Sequence, residues 1–559
     1  MSQFQQVLDP AAGSLVLSAL VAAIPLTSLF VMLGVFKLPA HRSALISLAL
    51  SIVIAVSVWR MPLRQAGSAT LEGAVYGLFP ILWILINAIW VYRLTVITGW
   101  FEVLGERIRS ISDDQRIQAI LIAFCFGALL ESLAGFGAPV AISAAMLMAA
   151  GMKPIKAAVV SLLANTAPVA FGAMAAPIIT LSSVTGIDIH VLSQMAGRQT
   201  PFVAMFVPFI LVFLVDGRRG VRQTWPIAAV AGLTFGLAQF ITSNFIAVEI
   251  TDIVASVVTV GVVLAVLRVW RPASAVKSEP EEPTTPEPEA VSPGGAPTIA
   301  RSSTLAATTT RSARSTLGAV APYLVIIAVF SLSQLPVIKP WLAAHGTWTF
   351  HWPGLNVVDA AGTPLSAQTF KLDHIKATGT LLLLSGLIVM GIYRISPRDA
   401  LRAYRDTLVQ LRFTIVTVTA VLALAFVMNL SGQTQSLGFA LASAGGLFAL
   451  LSPLIGWIGV AITGSDTSSN SLFGLLQATA AGHAGLSPIL MAATNSSAGV
   501  LGKMLSPQNL AVAVAAISLP GYEGTLLRKL IGWSLGLLAA LTLLIYLQST
   551  PVLDWMVPA

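Results

Sequence analysis

Uncharged apolar runs of 18 or more residues recur along almost the whole of this 559-residue chain. A helix of about 20 such residues is long enough to cross the hydrocarbon core of a bilayer. Only 10% of the residues are charged, against about 25% in a typical soluble domain. The sequence therefore predicts an all-α polytopic membrane protein with about twelve transmembrane helices. The net charge of +8 is assigned to cytoplasmic loops and not to a nucleic-acid surface.

Two of the apolar regions, 117–151 and 441–483, are too long for one span and are broken near their centres by Gly-rich polar sequence. The first break surrounds Gly135, Phe136 and Gly137, and the second surrounds Gly464 and Ser465. Polar backbone at membrane depth is tolerated only where it is buried in protein or lines a cavity. Each region is therefore predicted to form a re-entrant hairpin.

A second polar break is predicted about 30 residues after each hairpin break, at Asn165-Thr166 and at Asn495-Ser496-Ser497. The two asparagines lie 330 positions apart (495 minus 165), and a Gly-x-Met-x-x-Pro sequence follows each of them at the same distance. Paired breaks in corresponding positions of two halves are typical of the binding site of a secondary transporter. The breaks are placed in the predicted helices 155–180 and 488–519.

Basic residues decide the predicted orientation. If neither hairpin crosses the membrane, five groups of Lys and Arg fall on one side, which the positive-inside rule makes cytoplasmic. Both termini then lie outside, and the two hairpins enter from opposite faces as an inverted-topology repeat. The predicted first half covers 1–270 and the second covers 317–559. Between them, the Pro- and Glu-rich segment 271–316 is predicted to be a disordered cytoplasmic linker.

Three charged residues stand alone at membrane depth. Glu131 is the one charge between 117 and 152, and Asp466 and Lys503 are the two between 413 and 522. Such residues persist in membranes when they pair or serve an ion pathway. Glu131 is interpreted as a proton carrier or as a structural carboxyl, and Asp466 as a proton or cation ligand or as a helix N-cap. Lys503 is interpreted as the counter-ion of an anionic substrate, as the partner of a carboxylate in a salt bridge, or as a snorkelling lysine.

The predicted proton-coupling residues are Glu131 and Asp466. The predicted substrate-binding residues are small polar, glycine and aromatic residues of the four breaks, together with the lone lysine: Gly135, Phe136, Gly137, Asn165, Thr166, Ser465, Thr467, Ser468, Ser469, Asn495, Ser496, Ser497 and Lys503. For the asparagines and their neighbours, the alternative is ordinary hydrogen bonding between helices.

Four long motifs resemble those of the bacterial L-lactate permease family. They are LAGFGAPVAI at 133–142, NTAPVAFGAM at 165–174, GSDTSSN at 464–470 and GKMLSPQ at 502–508. The resemblance implies a proton-coupled importer of L-lactate, and often of D-lactate and glycolate, in the cytoplasmic membrane. It also implies paired hairpins and elevator-type motion. The chain departs from the family pattern at Leu133, where a small residue is expected, and in its low-complexity linker.

Alternative functions remain open from the residues alone. A sodium-coupled carboxylate transporter could use the same Ser, Thr and Asn breaks. An intramembrane hydrolase would need a base beside a nucleophile. A passive channel is a further alternative, which saturable counterflow exchange would exclude. The expected partners are a small monocarboxylate and membrane lipid, with no nucleic acid, no cofactor other than the coupling proton, and no metal; a homodimer is possible.

Overall fold

A computed structural model describes residues 3–135, 137–272, 274–276 and 316–558. Residue 136 and residues 277–315, which make up most of the predicted linker, lie outside this part of the chain. The described residues form 23 α-helices and four short strands, which confirms the all-α polytopic class.

The α-helices of the first half, in chain order, are α1 (Leu15–Gly34), α2 (Ala40–Ser57), α3 (Leu63–Tyr76), α4 (Trp83–Ile97), α5 (Trp100–Arg109), α6 (Gln115–Gln118), α7 (Gly127–Ala134), α8 (Ala138–Ala149), α9 (Pro154–Ala164), α10 (Gly172–Thr185), α11 (Ile189–Ala196), α12 (Thr200–Phe245) and α13 (Thr251–Val269). Those of the second half are α14 (Thr316–Ser333), α15 (Ile338–His345), α16 (Thr378–Tyr393), α17 (Pro397–Ser431), α18 (Gln433–Ala442), α19 (Phe448–Thr463), α20 (Asp466–His483), α21 (Pro488–Lys503), α22 (Pro507–Ala516) and α23 (Glu523–Gln548). The strands are β1 (Phe4–Gln5), β2 (Thr347–His351), β3 (Val357–Val358) and β4 (Thr369–Asp373).

Within the described residues, nine helical stretches are long and apolar enough to cross a membrane, and eleven if two bent pairs each count as one span. The predicted number of about twelve is therefore not established by the structure. One bent pair is α9 with the helical stretch from Val169 to Thr185, at 63°, and the other is α14 with α15, at 80°. Helix α12 is itself interrupted at Asp216 and Gly217, whose backbone is not helical.

Both long apolar regions fold as helix–break–helix hairpins. Helix α8 begins four residues after α7 ends, and it packs back against α7 and the π-helical stretch Ala119–Phe126. Helix α20 begins three residues after α19 ends and packs against it. The turns need backbone that glycine favours: φ is +85° at Gly137 and +74° at Gly464. Ser465 then caps α20, because its Oγ accepts from the Ser468 amide at 3.2 Å.

The second breaks differ between the halves. The first was predicted at Asn165 and occurs there, because α9 ends at Ala164 and α10 begins at Gly172. The second was predicted at Asn495, and that prediction is wrong: residues 495–497 lie inside the continuous helix α21. The interruption comes after Lys503, where Ser506 caps α22 and Pro507 occupies its first turn.

The two hairpins and the helices that follow them pack reciprocally. Helix α10 of the first half packs against α20, the second arm of the other half's hairpin. Helix α22 of the second half packs against α8, the second arm of the first hairpin. This exchange of partners is the arrangement expected of two structural repeats. Their inverted orientation in the membrane, and the division into halves at 270 and 317, remain predictions.

Helices α2 and α3 pack against α17, which also contacts α20 of the second hairpin. A short strand joins the N-terminal segment to the loop between α15 and α16. Strand β1 pairs in parallel with β3, and β2 pairs with β4 in antiparallel register. The N-terminus therefore lies at the same end of the molecule as this loop, as the predicted topology requires.

Candidate functional site

Glu131 lies in the last turn of α7, at the tip of the first hairpin, and is 3% exposed. Its Oε1 accepts a hydrogen bond from Lys503 Nζ at 2.5 Å, and its Oε2 accepts from Asn165 Nδ2 at 2.9 Å. Three elements from both halves therefore meet at one carboxylate. Of the open interpretations of Lys503, the salt bridge with Glu131 is the one that the structure contains.

The convergence on Glu131 requires a residue without a Cβ at position 172, which is Gly172. A Cβ at Gly172 would lie 3.0 Å from Glu131 Oε1 and 3.1 Å from its Cγ, tighter than ordinary contacts. Gly172 begins α10, so the glycine lets the carboxylate lie directly against the break in the first-half helix.

Asp466 occupies the first turn of α20 and is 3% exposed. Its Oδ2 accepts from Ser496 Oγ at 2.5 Å, whereas Oδ1 has no hydrogen-bond partner among the described residues. Negative charge is favourable at a helix N-terminus, because the unpaired amides there carry partial positive charge. The residue that caps α20 is Ser465, so the interpretation of Asp466 as the N-cap is wrong, and the Asp466 carboxyl group bonds to Ser496 of α21 instead.

Glu131, Asp466 and Lys503 line one small cavity of about 30 Å³. The other lining residues come from the two hairpin tips and the first break: Gly135, Val169, Gly172, Ala173, Pro177, Gly464, Ser465 and Thr467. A cavity of this size holds a water molecule but not a three-carbon acid. In this conformation the cavity is therefore closed around the Glu131–Lys503 pair.

A much larger cavity of about 720 Å³ leads to the tip of the second hairpin. Its walls are the α1–α2 corner with Lys37 and His41, helices α17 and α22, and the tip residues Ser465 and Ser468. Ser465 lines both cavities, so the two lie on either side of the second hairpin tip. Another cavity, of about 540 Å³, lies beside the loop that carries Lys371 and shares no lining residue with the small one.

The structure brings together six of the predicted residues around the small cavity: Glu131, Gly135, Ser465, Asp466, Thr467 and Lys503. Asn165 and Ser496 support it through their bonds to the two carboxylates. Thr166 donates back to the Leu163 carbonyl. Phe136 lies outside the described residues.

Other predicted residues face elsewhere. Asn495 donates to Asn470 Oδ1 at 2.8 Å and accepts from Gln477 Nε2 at 2.7 Å, so it binds α20 to α21. Ser469 accepts a longer bond from the same asparagine amide. A Cβ at Gly137 would meet Val512 of α22 and not the cavity. Ser497 Oγ is buried and has no hydrogen-bond partner within the described ranges.

Two buried carboxyl groups inside predicted spans were missed by the sequence reasoning. Glu72 on α3 and Asp252 on α13 are both 0% exposed. Each lies inside a predicted span, so the rule that singled out Glu131 would have found them had it been applied to every span. Neither lines the small cavity.

The sequence matches the family model described as L-lactate permease over residues 18–552. The chain is 38% identical to the L-lactate permease of Bacillus subtilis, with 100% of both chains covered. It is 40% identical to the glycolate permease GlcA of Escherichia coli, with 96% of both covered, and 39% identical to the L-lactate permease of the same species, with 100% of both covered. Among solved structures, Neisseria gonorrhoeae MtrF, an antimetabolite efflux pump, gives a TM-score of 0.48 at 14% identity, covering 93% of this chain and 97% of that one.

Proposed function

Because this chain belongs to the L-lactate permease family, we propose that it imports L-lactate and related 2-hydroxy-monocarboxylates together with a proton. D-lactate and glycolate are the related substrates. The observation that carries the proposal is the buried Glu131–Lys503 pair at the meeting point of the hairpin tip and the helix breaks. The proposed location is the bacterial cytoplasmic membrane, with both termini outside.

Lys503 is the proposed partner of the substrate carboxylate. It is the one cationic side chain among the residues that line the small cavity, and it lies at the C-terminal end of α21. A buried ammonium group needs an anion beside it, and Glu131 supplies that anion here. A substrate carboxylate that reaches Lys503 must therefore take the place of Glu131.

The displacement of Glu131 from Lys503 by the substrate carboxylate is the proposed basis of the coupling to a proton. Without substrate, Glu131 and Lys503 carry opposite charges that cancel. With a lactate anion on Lys503, the site stays neutral only if Glu131 takes up one proton. An extra buried charge costs several kcal/mol, so anion and proton bind together. Asp466, whose Oδ1 is unpartnered in the described part of the chain, is the second proposed proton carrier.

Short polar groups around Lys503 are the proposed contacts of the 2-hydroxyl group. Thr467 lines the cavity, and Asn165 lies on the far side of Glu131. The chain is almost equally similar to the L-lactate and glycolate permeases of one species. We therefore propose a site that recognises the shared 2-hydroxy-carboxylate and tolerates a hydrogen or a methyl group at carbon 2.

The direct test is uptake of labelled L-lactate into proteoliposomes with an imposed pH gradient. The wild type should accumulate lactate when the lumen is alkaline, and replacing Na⁺ by choline should not change the rate. Dependence on Na⁺ with no response to the pH gradient would support the sodium-coupled alternative instead.

Two sets of variants then assign the residues. Glu131→Gln and Asp466→Asn should impair gradient-driven accumulation, and Lys503→Ala should lose substrate affinity. The exposed Asp406→Asn serves as the matched control because it changes a carboxylate on the surface of α17. Full gradient-driven uptake in both carboxyl variants would contradict the coupling assignment, and full affinity in Lys503→Ala would remove Lys503 from the site.

A further inference from the structure

Asp252 is a fully buried carboxyl group in the first turn of α13. Its Oδ1 accepts a hydrogen bond from Gln239 Nε2 at 3.1 Å. Its Oδ2 is buried and has no hydrogen-bond partner within the described residues. Such a half-satisfied carboxyl is uncommon, because buried polar atoms are nearly always paired.

Gln239 connects Asp252 to the first helix break. The same Nε2 also donates to the Ala167 carbonyl at 3.3 Å, and Gln239 Oε1 accepts from Thr200 Oγ1 at 3.1 Å. Ala167 is two residues beyond Asn165, whose amide holds Glu131. Asp252 is therefore linked, through Gln239 and the Ala167 carbonyl, to the helix break whose Asn165 side chain bonds to Glu131.

The charged groups on the elements that pack against α13 do not pair with Asp252 in the described part of the chain. Glu131 lies on α7, which packs against α13. Other titratable or charged groups on the neighbouring elements are Cys125 before α7, Tyr323 on α14, Asp216, Arg218, Arg219 and Arg222 around the interruption of α12, and Arg268 at the other end of α13. Among the described residues, none of these groups forms a hydrogen bond with Asp252.

An unpaired carboxylate in such a place is unfavourable, and a proton on Oδ2 would remove its charge. We propose that Asp252 is a further proton-holding group of the transport cycle, which exchanges its proton with Glu131. In the exchange, the Asp252 O–H bond breaks as one forms on Glu131, and a hydronium ion from the open side of the membrane then reprotonates Asp252 and becomes water. The inference rests on the proposed proton symport and adds a residue outside the substrate cavity.

Two transport modes separate this role from a structural one. Exchange of internal for labelled external L-lactate at equal pH can proceed while the proton stays on Glu131. Accumulation driven by a pH gradient needs that proton to be released and reloaded. Asp252→Asn should therefore retain exchange and lose accumulation, and Asp252→Glu, which restores a carboxyl, should regain accumulation with an altered pH profile.

A purely structural Asp252 gives a different result. Asparagine keeps an oxygen that accepts from Gln239, so a structural role predicts that both modes survive in Asp252→Asn, and this result would overturn the proposal. Loss of exchange together with accumulation in a folded variant would overturn it as well. If Asp252→Asn does not fold, Asp252→Ser is smaller, still accepts a hydrogen bond, and carries the same expectations.

The failure of the proposed function would look different. Wild-type protein without gradient-driven accumulation of L-lactate would refute proton symport itself. An active wild type whose Asp252→Asn variant behaves like the exposed control Asp406→Asn would refute only the role of Asp252.

Discussion

Replacing Glu131 by glutamine should tighten lactate binding while it abolishes proton-driven uptake. In the wild type, substrate competes with the Glu131 carboxylate for Lys503, whose Nζ donates to Glu131 Oε1 at 2.5 Å. Removing one member of a buried ion pair costs about 3–5 kcal/mol, because the other charge is left without a partner. A lactate carboxylate that pairs with Lys503 in the glutamine variant should recover part of this cost, and since each 1.4 kcal/mol corresponds to tenfold, we expect binding to tighten by at least about tenfold.

The neighbouring side chain can adapt to this change. Asn165 donates its amide to Glu131 Oε2 at 2.9 Å. If the new glutamine turns its oxygen towards Lys503, Asn165 can rotate its own amide to accept from the glutamine nitrogen. The substitution should therefore remove the charge without leaving a buried donor unpaired.

Isothermal titration calorimetry on purified protein measures the effect. Wild-type affinity for L-lactate should fall as the pH rises, because binding requires a proton on Glu131. The glutamine variant should bind with an affinity that changes little with pH, and at alkaline pH it should exceed the wild type. Asp406→Asn is the control and should match the wild type. If Glu131→Gln binds no more tightly at alkaline pH, or keeps the pH dependence of the wild type, the displacement mechanism is refuted.

Three further variants probe the same region and its support. Lys503→Met should lose L-lactate binding and lower the thermal unfolding temperature, since breaking a buried pair costs about 3–5 kcal/mol. The double variant with Glu131→Gln added should recover the unfolding temperature without restoring binding. Gly502→Ala should destabilise by about 1–3 kcal/mol, because a Cβ there would overlap the Trp457 carbonyl oxygen of α19. Gly524→Ala, with nothing within 4 Å of its Cβ, should be neutral in the same thermal assay. Arg116→Ala should lower the unfolding temperature more than an exposed Arg→Ala change, because it leaves two aspartates without their counter-ion.

Much of the fold followed from local sequence. Long uncharged runs predict membrane helices because nothing else satisfies the backbone in lipid. Gly137 and Gly464 mark the hairpin turns because these positions have positive φ. Family membership, predicted from four motifs, is confirmed by the match over residues 18–552.

Local sequence misplaced the second-half break. The Asn-Ser-Ser sequence at 495–497 is polar, yet α21 stays intact there because Asn495 satisfies its side chain through Gln477 and Asn470. The helix ends instead where Ser506 and Pro507 start a new one. A run of polar residues does not by itself show whether its side chains bond to a neighbouring helix or whether the helix is interrupted there.

The pairing of Glu131 with Lys503 could not be predicted from local sequence either. Glu131 and Lys503 are 372 positions apart, and the sequence left Asp466 and Glu131 as equal candidates for the lysine. Only the packing of α21 against the first-half break decides between them. Asp252 itself is visible in the sequence as a charge within a span, but its link to the first-half break through Gln239 and Ala167 is visible only in the packing.

The reciprocal packing of the two halves bears on how such a site can arise. Residue 173, which stands 330 positions before Lys503, is an alanine. Two identical copies of the first half would bring glutamate and alanine together twice, and two copies of the second would duplicate the lysine. A neutral pair of opposite charges at one point therefore requires that the halves differ. Joining them in one chain fixes the ratio of glutamate to lysine at one to one, and it allows each half to change without a matching change in the other.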